Sequence, residues 1–322
     1  MLPGRKCEFD AILQFRERGI LIIEDIQVIG LGQACLDYLG RVSIFPEEDS
    51  KCELSDLHIQ CGGPASTALV TLSRLGIKTS FLGSISDDSR GIEIVKELKK
   101  EKVDSTFLKI TPGYSSQLAF IVITENGNRT IFWHRGSVPH LQPHDVNLSH
   151  FSRAKILHFD SLMIEAAQEA AKQAKNMGLT IVMDAGTMRE GSQELLSMVD
   201  VLIASESFAE PLVGNVAPPE KALRILHELG PKEVIITLGS KGSIGLRDKT
   251  INFQKAIYID AVDTTGAGDV YHGAYIYGLL QEWDMKKCMH FASIASAIKC
   301  TQIGARSGIP VLEEIKGFMR GK

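Results

Sequence analysis

Short apolar runs alternate along the chain with longer stretches in which apolar residues recur at helical spacing. The first run, residues 25–32, is continuous, rich in β-branched side chains and closed by glycines, as expected of a buried parallel strand. Comparable runs occur at 79–83, 156–159, 180–184 and 201–205, each followed by a helical pattern, and at 233–238, which is followed by Gly239-Ser240-Lys241-Gly242. This alternation predicts an α/β fold with a mainly parallel central sheet and helices on both faces. We assign residues 25–37, 61–116 and 136–322 to this main domain.

Two other stretches, 38–60 and 117–135, have a different pattern, in which apolar and polar residues alternate. The second contains Glu125-Asn126-Gly127-Asn128 between two alternating runs, which is a strong hairpin signal. The pattern predicts a small separate β-sheet, built from both stretches, that closes over a site as a lid. Exposed lid strands can pair with a second lid, so we expect a homodimer formed through the lid.

Residues 1–24 precede the first predicted strand and show a helical pattern only in outline. An apolar stripe with charged residues between its members is formed by Phe9, Ile12, Leu13 and Phe15. We therefore expect an N-terminal extension that packs on the main domain.

Charge and cysteine content exclude several classes of function. The 322 residues include 35 Lys and Arg and 39 Asp and Glu, a net charge of −4, without a basic run that would bind nucleic acid. The six cysteines show no metal-binding spacing and are expected to be reduced. No apolar run approaches the roughly 20 residues of a membrane span, and the N-terminus lacks a signal-peptide pattern. We expect a cytoplasmic protein without a membrane or nucleic-acid partner.

The stretch 263–274 carries the strongest chemical signal. Gly266 and Gly268 lie between a β-rich run and a helical pattern, where they allow a tight turn and a close approach to the backbone. Unpaired N–H groups at the start of the helix would bind an anion such as a phosphoryl group. Asp269, at the edge of this anion hole, would accept a proton from a hydroxyl that attacks the phosphoryl group. A helix start that is merely capped by aspartate has the same local sequence.

Two further features lie beside predicted strands. Asp37 follows the first strand, and ligands of open α/β sheets bind at the carboxyl ends of strands. A turn-capping aspartate is equally compatible with that position. Gly62 and Gly63 precede a helix, where N–H groups would again point toward a ligand.

Four motifs together resemble those of a known family. They are Gly62-Gly63 before a helix, Thr237-Leu238-Gly239-x-x-Gly242 after a late strand, the Asp263 to Asp269 turn, and Gly304-Ala305-Arg306-Ser307-Gly308-Ile309-Pro310. This combination resembles the ribokinase-like (PfkB) carbohydrate kinases over about residues 25–320. The resemblance implies a ribokinase-like fold and a kinase that transfers the γ-phosphoryl group of ATP to a primary hydroxyl of a small sugar. It also implies Mg²⁺ bound with the ATP.

The resemblance implies a role for each matching residue around the reacting groups. Asp269 would be the catalytic base, and the anion-hole amides would be those of Gly266, Ala267 and Gly268. Sugar hydroxyls would bind at the positions matching Asp37 and Gly63, with Lys51 as a further candidate substrate contact.

Two more sites follow from the same resemblance. The nucleotide pocket would be lined by Thr237, Gly239 and Gly242. A monovalent cation such as K⁺ binds beside the anion hole in many members, and the matching residues are Asp263, Thr265, Ala305 and Gly308.

The sequence departs from the family pattern at two places. Thr67 stands where the N-terminal signature usually has asparagine. Ser205 and Phe208 stand at the two ends of the usual Asn-x-x-Glu motif. The second change affects the Mg²⁺ and phosphate region, where Glu206 or Glu210 would take over the acidic role.

One branch of the family is more similar than the others. The segments VDTTGAGDVYHGA and FASIASAIKCTQIGARSGIP resemble sulfofructose kinases, which recognise sulfonate with Lys, Arg and Asn. Lys51 matches the lysine, but Trp133 stands near the expected asparagine and no matching arginine is found. A different, uncharged sugar is at least as compatible with the sequence. Trp133 would stack on a sugar ring or fill the core of the lid.

Three alternatives to a simple sugar kinase stay open. The acceptor would be a nucleoside, or it would be a sugar phosphate, which requires basic residues facing Asp37. Lys51 and Arg135 are the visible candidates for that role. The alternative of another class is an inactive relative that binds sugar and nucleotide as a sensor. The presence of Asp269 in the anion hole favours the enzyme.

Overall fold

The computed structural model of the chain describes residue 23 and residues 25–125, 127–214 and 218–321. The predicted N-terminal extension, residues 1–24, lies outside the described residues except for Ile23. The Ile23 N–H donates to the carbonyl oxygen of His150 at 2.8 Å.

Strands and helices alternate through the described chain. The strands are β1 (Val28–Leu31), β2 (Cys35–Val42), β3 (Asp56–Gly62), β4 (Thr79–Leu82), β5 (Ser84–Ile85), β6 (Lys109–Ile110), β7 (Leu118–Thr124), β8 (Arg129–His134), β9 (Ile156–Asp160), β10 (Thr180–Ala185), β11 (Val201–Ser205), β12 (Glu233–Thr237), β13 (Ser243–Arg247) and β14 (Thr250–Gln254). The helices are α1 (Pro64–Arg74), α2 (Ser89–Lys100), α3 (Ile164–Met177), α4 (Ser192–Leu196), α5 (Glu206–Val213), α6 (Pro219–Glu228), α7 (Ala267–Leu280), α8 (Met285–Lys299) and α9 (Leu312–Met319).

The larger sheet has eight strands in the order β14-β13-β12-β11-β10-β9-β1-β4. Six neighbouring strands, from β12 to β4, run parallel, and β13 and β14 add an antiparallel edge. The predicted α/β fold with a mainly parallel sheet is confirmed. The chain continues from β1 to β4 on one side and returns to β9 on the other, so a crevice opens at the carboxyl ends of β1 and β9.

Helices cover both faces of the larger sheet, because its parallel strands are apolar on both sides. One face packs against α1, α2, α7, α8 and α9, and the other against α3, α4, α5 and α6. The helix α7 approaches α1 closely, since a side chain at Gly273 would meet the carbonyl oxygen of Ala68 at 2.5 Å. No helix in these ranges is long and apolar enough to cross a membrane.

A second, smaller sheet has four strands in the order β3-β2-β7-β8. The strand β2 pairs antiparallel with β3 and parallel with β7, while β7 and β8 form an antiparallel hairpin. This sheet begins at Cys35 and includes Gly62, so it reaches nearer to the main domain than the predicted limits of 38 and 60. The reason is that only three residues separate β1 from β2, and the extended chain continues almost directly from one sheet into the other.

Cross-strand register defines two faces of the small sheet, because side chains that are paired side by side share a face. One row of the inner face consists of Gln60, Asp37, Ala119 and Trp133. The next row on this face includes Leu39 and Ile121, which are buried together against Ile303 of the main domain.

The outer face of the small sheet is apolar and faces solvent. Its exposed side chains, each more than half accessible, are Leu57, Ile59, Phe120 and Phe132. Monomeric proteins rarely expose a contiguous apolar surface of this kind.

Candidate active site

The start of α7 forms a turn with unpaired backbone donors. Gly266 caps the helix with a φ of 76°, and a side chain there would meet Ala305 at 2.8 Å. Within the described chain no acceptor contacts the N–H groups of Gly268 and Asp269, and no atom would meet a side chain at Gly268 within 4 Å. These donors at the positive end of the helix can bind an anion. The Ala267 N–H differs, because it donates to the Thr264 carbonyl at 3.2 Å.

Asp269 lies in the first turn of α7 beside these donors and is partly buried. Burial raises its pKa to about 7, and the negative charge of Asp184 adds to this effect. Three cations oppose the rise: Arg129, Lys299 and Arg306. A carboxyl group with a pKa near neutrality can take up and release a proton under physiological conditions.

Asp184 reaches the same place from the end of β10. Its Oδ1 lies 3.5 Å from Nε2 of His272, which projects from the second turn of α7. Burial raises the pKa of Asp184 to about 7 and lowers the pKa of His272 to about 3, so the imidazole is neutral. Arg189, in the loop after β10, is exposed. In the described part of the chain, the side chain that contacts Asp184 is that of His272.

Asp37 is buried on the inner face of the small sheet. Its Oδ1 accepts a hydrogen bond from the Cys35 thiol at 2.8 Å, and a side chain at Gly62 would overlap its carboxylate. Burial raises the pKa of Asp37 to about 6; the Cys35 hydrogen bond and Arg306 lower it, and Asp269 raises it. The effect of Asp269 on the pKa of Asp37 indicates that the two carboxyl groups lie near each other.

Asp160, which was not predicted from the sequence, lies at the carboxyl end of β9 and links two segments that border the crevice. Its Oδ2 accepts hydrogen bonds from the N–H groups of Gln33 at 2.7 Å and Ala65 at 3.4 Å. Burial raises its pKa to about 7. Gly63 caps α1 with a φ of 100°, and a side chain there would overlap the backbone of Gln33. The predicted Asp37 and Gly63 thus flank a third buried acid.

The turn before α7 is held by Asp263. Its Oδ1 accepts hydrogen bonds from the backbone N–H of Thr265 at 2.8 Å and the Thr265 hydroxyl at 2.7 Å, and its Oδ2 accepts one from the Gly304 N–H at 2.6 Å. Nζ of Lys299 donates to the backbone carbonyl of Asp263 at 2.8 Å. Burial lowers the pKa of Lys299, and the nearby Asp263 opposes this shift.

Arg306 is a second buried cation. Its Nη2 donates to the Ser66 hydroxyl at 2.9 Å, and its backbone N–H donates to Oε1 of Gln60 at 3.0 Å. Through these contacts the loop that follows α8 joins the start of α1 to the inner face of the small sheet.

The predicted nucleotide residues lie at the end of β12. The Thr237 hydroxyl donates to the Ala204 carbonyl at 3.3 Å. Gly239 has a φ of 56° and open space beside it, whereas a side chain at Gly242 would overlap the carbonyl of Gln254. This turn leaves room for a ligand at Gly239.

Comparison with known proteins identifies the family. Residues 25–312 match the family described as pfkB family carbohydrate kinase. The chain belongs to this family. As a member it is a phosphotransferase whose acceptor is an alcohol group, as predicted.

The chain is similar to its relatives over nearly their full length. The ribokinase of Haemophilus influenzae is 29% identical over 299 residues, which cover 90% of this chain and 97% of the relative. A ribokinase candidate of Agrobacterium tumefaciens, of solved structure, has a TM-score of 0.83 and 27% identity, with 92% and 98% of the two chains covered. A ribokinase II candidate of E. coli, solved in complex with ATP and Mg²⁺, is 21% identical, with a TM-score of 0.80 and coverage of 92% and 100%, and it shows the fold.

The residues that depart from the pfkB pattern lie in different environments. Phe208 is completely buried in the core beneath β11, so an acid in its place would be desolvated. Glu206 and Glu210 are exposed, and Glu206 lies 3.5 Å from Nζ of Lys241. Thr67 is buried on α1, and its hydroxyl has no hydrogen-bond partner within the described ranges.

Lys51 is not brought to the other candidates by any contact that the described residues make. It is exposed in the connection 43–55. This connection starts after Val42, at the end of β2 that is farther from Asp37. Its role as a substrate contact stays a prediction. Arg129, which the sequence analysis did not single out, lies nearer: Nη1 on this first residue of β8 donates to the Thr264 hydroxyl at 2.6 Å. An isolated charge at the start of an exposed strand gave no signal of this contact.

The raised pKa of Asp269 predicts a pH-dependent stability. A carboxyl group with a pKa of about 7 when folded and an ordinary value when unfolded binds its proton more tightly in the folded protein. Its contribution is therefore present below the unfolded pKa and is lost as pH rises through 7. Asp269→Asn should reduce the stability difference between pH 6 and pH 8 by about 1 kcal/mol. Urea unfolding at the two pH values measures it, and an unchanged difference would contradict the assignment.

Proposed function

We propose that the chain is an ATP-dependent sugar kinase, which transfers the γ-phosphoryl group to a primary hydroxyl of a small sugar. The observation that carries this proposal is Asp269, a partly buried carboxyl group of raised pKa placed beside unpaired N–H groups at a helix start. A carboxylate beside an anion hole is unfavourable unless it takes part in chemistry, because both occupants are negative.

Asp269 would act as the general base. It takes the proton of the sugar hydroxyl while the oxygen of that hydroxyl bonds to the γ-phosphorus and the bond from phosphorus to the ADP oxygen breaks. The N–H groups of Gly268 and Asp269, with that of Gly266, would bind the phosphoryl oxygens. Ala267 contributes through its place in the turn, since its N–H is already bonded to Thr264.

Nucleotide would bind along the end of β12, at Thr237, Gly239 and Gly242. The open space at Gly239 and the exposed carboxylate of Glu206 support this placement. Mg²⁺ bound with ATP would supply charge neutralisation, and Glu206 is the acid available to hold it or its water ligands. The ATP and Mg²⁺ of the E. coli relative are consistent with this assignment.

The acceptor would be an uncharged sugar that contacts Asp37 and Gly63. Three buried acids, Asp37, Asp160 and Asp184, and the partly buried Asp269 would surround the site and repel a phosphate or sulfonate. Of the basic residues expected to recognise such a group, Lys51 lies in an exposed connection and Arg135 donates to His140. These placements weaken the sulfofructose kinase and sugar-phosphate kinase alternatives. A nucleoside stays open, because it is uncharged.

The small sheet would act as the lid. Arg129 bridges its last strand to Thr264 in the turn before α7, and this contact lies close enough to affect the pKa of Asp269. Closure would therefore bring a positive charge toward the transferred phosphoryl group. We also propose a cytoplasmic location, which the free thiols of the described cysteines support.

Loss of the base should abolish catalysis. We expect turnover of ATP with at least one acceptor among ribose, fructose, 2-keto-3-deoxygluconate, sulfofructose and nucleosides, and the ribokinase relative puts ribose first. Asp269→Asn should lower kcat by about 10²–10⁴-fold with little change in binding of the acceptor. ADP release measures this effect.

The matched control is Asp260→Asn, because Asp260 is an exposed acid in the connection that leads into α7. Its activity should equal that of the unaltered protein. Equal activity of Asp269→Asn would overturn the proposed mechanism. A folded chain that binds sugar and nucleotide but turns over no acceptor would be the sensor instead.

Trp133 would contact the sugar. It shares the inner face and the cross-strand row with Asp37, with the small Ala119 between them. The side chain of Trp133 is 44% exposed. An indole that filled the core of the lid would be buried, so this exposure favours a contact with the sugar. An exposed aromatic face beside a hydroxyl-binding acid is suited to stacking on a sugar ring.

Removal of this ring should weaken acceptor binding selectively. Trp133→Ala is expected to raise KM for the acceptor about tenfold, with a smaller effect on KM for ATP. The matched control is Phe132→Ala, which removes the neighbouring ring on the outer face. Steady-state kinetics that show equal effects for the two variants would contradict the assignment of Trp133.

The homodimer would form through the outer face of the small sheet. Its exposed Leu57, Ile59, Phe120 and Phe132 provide a self-complementary apolar surface. Sedimentation should show a dimer, and Ile59→Lys should shift it toward the monomer because the buried charge would be unpaired. A monomeric unaltered protein at micromolar concentration would rule out this interface.

A further inference from the structure

Lys299 is a buried lysine at the end of α8. Its side chain is completely buried, unlike that of any other lysine in the described ranges. The ammonium donates to the carbonyl oxygen of Asp263, which precedes it by 36 residues. Burial of an ammonium group is costly without compensating partners, so a completely buried lysine calls for a reason.

This ammonium group contacts a residue of the expected monovalent-cation site. The carbonyl that it contacts belongs to Asp263, one of the four residues matched to that site. Gly308 packs against the backbone of Lys299, where a side chain would overlap the lysine carbonyl. Ala305 packs against Gly266 at the start of α7. Two of the four expected residues, Asp263 and Gly308, therefore contact Lys299, while Thr265 is bonded to Asp263 and Ala305 packs against the same turn.

These residues do not fit a K⁺ ion. K⁺ is bound by rings of carbonyl or other oxygens that replace its hydration shell. The Asp263 carbonyl already accepts from Lys299, and the two carboxylate oxygens accept from Thr265 and Gly304. A second cation would also be repelled by the ammonium group and by Arg129, which lies close enough to Lys299 to lower its pKa.

We propose that the ammonium group of Lys299 replaces the monovalent cation, so that this kinase does not need K⁺. The ammonium fixes the carbonyl of Asp263 and, through the Thr265 turn, the orientation of the anion-hole amides. It also supplies the positive charge next to the site of phosphoryl transfer. The activity part of this inference rests on the proposed kinase function, whereas binding of the cation can be measured without it.

The experiment compares chloride salts of K⁺, Na⁺ and tetramethylammonium at equal ionic strength of about 0.1 M, so that screening is constant. Initial rates and melting temperatures of the unaltered protein should be the same in all three salts. In Lys299→Ala, the space left by the side chain can admit a cation. We expect its activity in tetramethylammonium to fall about tenfold or more and to recover with K⁺, accompanied by a rise in melting temperature.

Two control variants complete the design. Lys299→Met fills the space without a charge, so its loss of activity should not be rescued by K⁺. Lys286→Ala removes an exposed lysine from the first turn of the same helix and should behave as the unaltered protein in every salt.

Several outcomes would overturn the proposal. K⁺ activation of the unaltered protein by more than about threefold, or a K⁺-dependent rise in its melting temperature, would show that a cation site persists beside the lysine. A Lys299→Ala variant that is fully active without K⁺ would contradict the role of the ammonium. If Lys299→Ala does not fold, the salt series on the unaltered protein and on Lys299→Met still tests whether the protein needs a monovalent cation. Absence of kinase activity together with the expected melting behaviour would refute the proposed function and leave this inference standing.

Discussion

The burial of four carboxyl groups around the start of one helix is the constraint on which the rest of the structure depends. Asp37, Asp160, Asp184 and Asp269 come from β2, β9, β10 and α7, and burial raises the pKa of each of them. Like charges held close together in a poorly hydrated site repel strongly. Their coexistence requires compensation, which the fold provides by backbone donors and buried cations at fixed points.

The compensation explains features that lie outside the reacting residues. Asp160 accepts three backbone N–H groups, from the link between β1 and β2, from the first turn of α1 and from Leu162 just after β9. Arg306 and Lys299 place two buried cations near the acids, both from the segment at the end of α8. The motif 304–310 is therefore tied to the site by charge as well as by its backbone. The close packing of α7 on α1 then keeps the acids on separate elements at defined positions.

Much of the fold follows from local pattern, because alternation of buried strands and amphipathic helices leaves few arrangements for the chain. The anion-hole turn could also be predicted from sequence, because it needs glycine at position 266. The φ of Gly266 is positive, and a side chain there would meet Ala305. What sequence could not supply is cross-strand register, which decides that Trp133 and Asp37 share a face while Phe132 lies opposite.

Long-range polar contacts were equally hidden. Lys299 pairs with a carbonyl 36 residues away and Arg306 with a hydroxyl 240 residues away, so no local spacing indicates either contact. The one available signal was a charged residue within an apolar helical pattern, as at Lys299. A short-range contact was also not predictable from the sequence. The bond from the Ala267 N–H to the Thr264 carbonyl depends on the geometry of the turn.

The position of Asp37 on the small sheet has a consequence for which acceptors can react. Asp37 belongs to the small sheet and Asp269 to the main domain, so under the proposed mechanism an acceptor bound by Asp37 would have to reach across to Asp269. The distance between the two carboxyl groups would then determine how many carbon atoms separate the bound hydroxyl groups from the reacting one. A sugar with the right hydroxyl groups at the wrong separation would then occupy the site without being phosphorylated, as a competitor of the true acceptor.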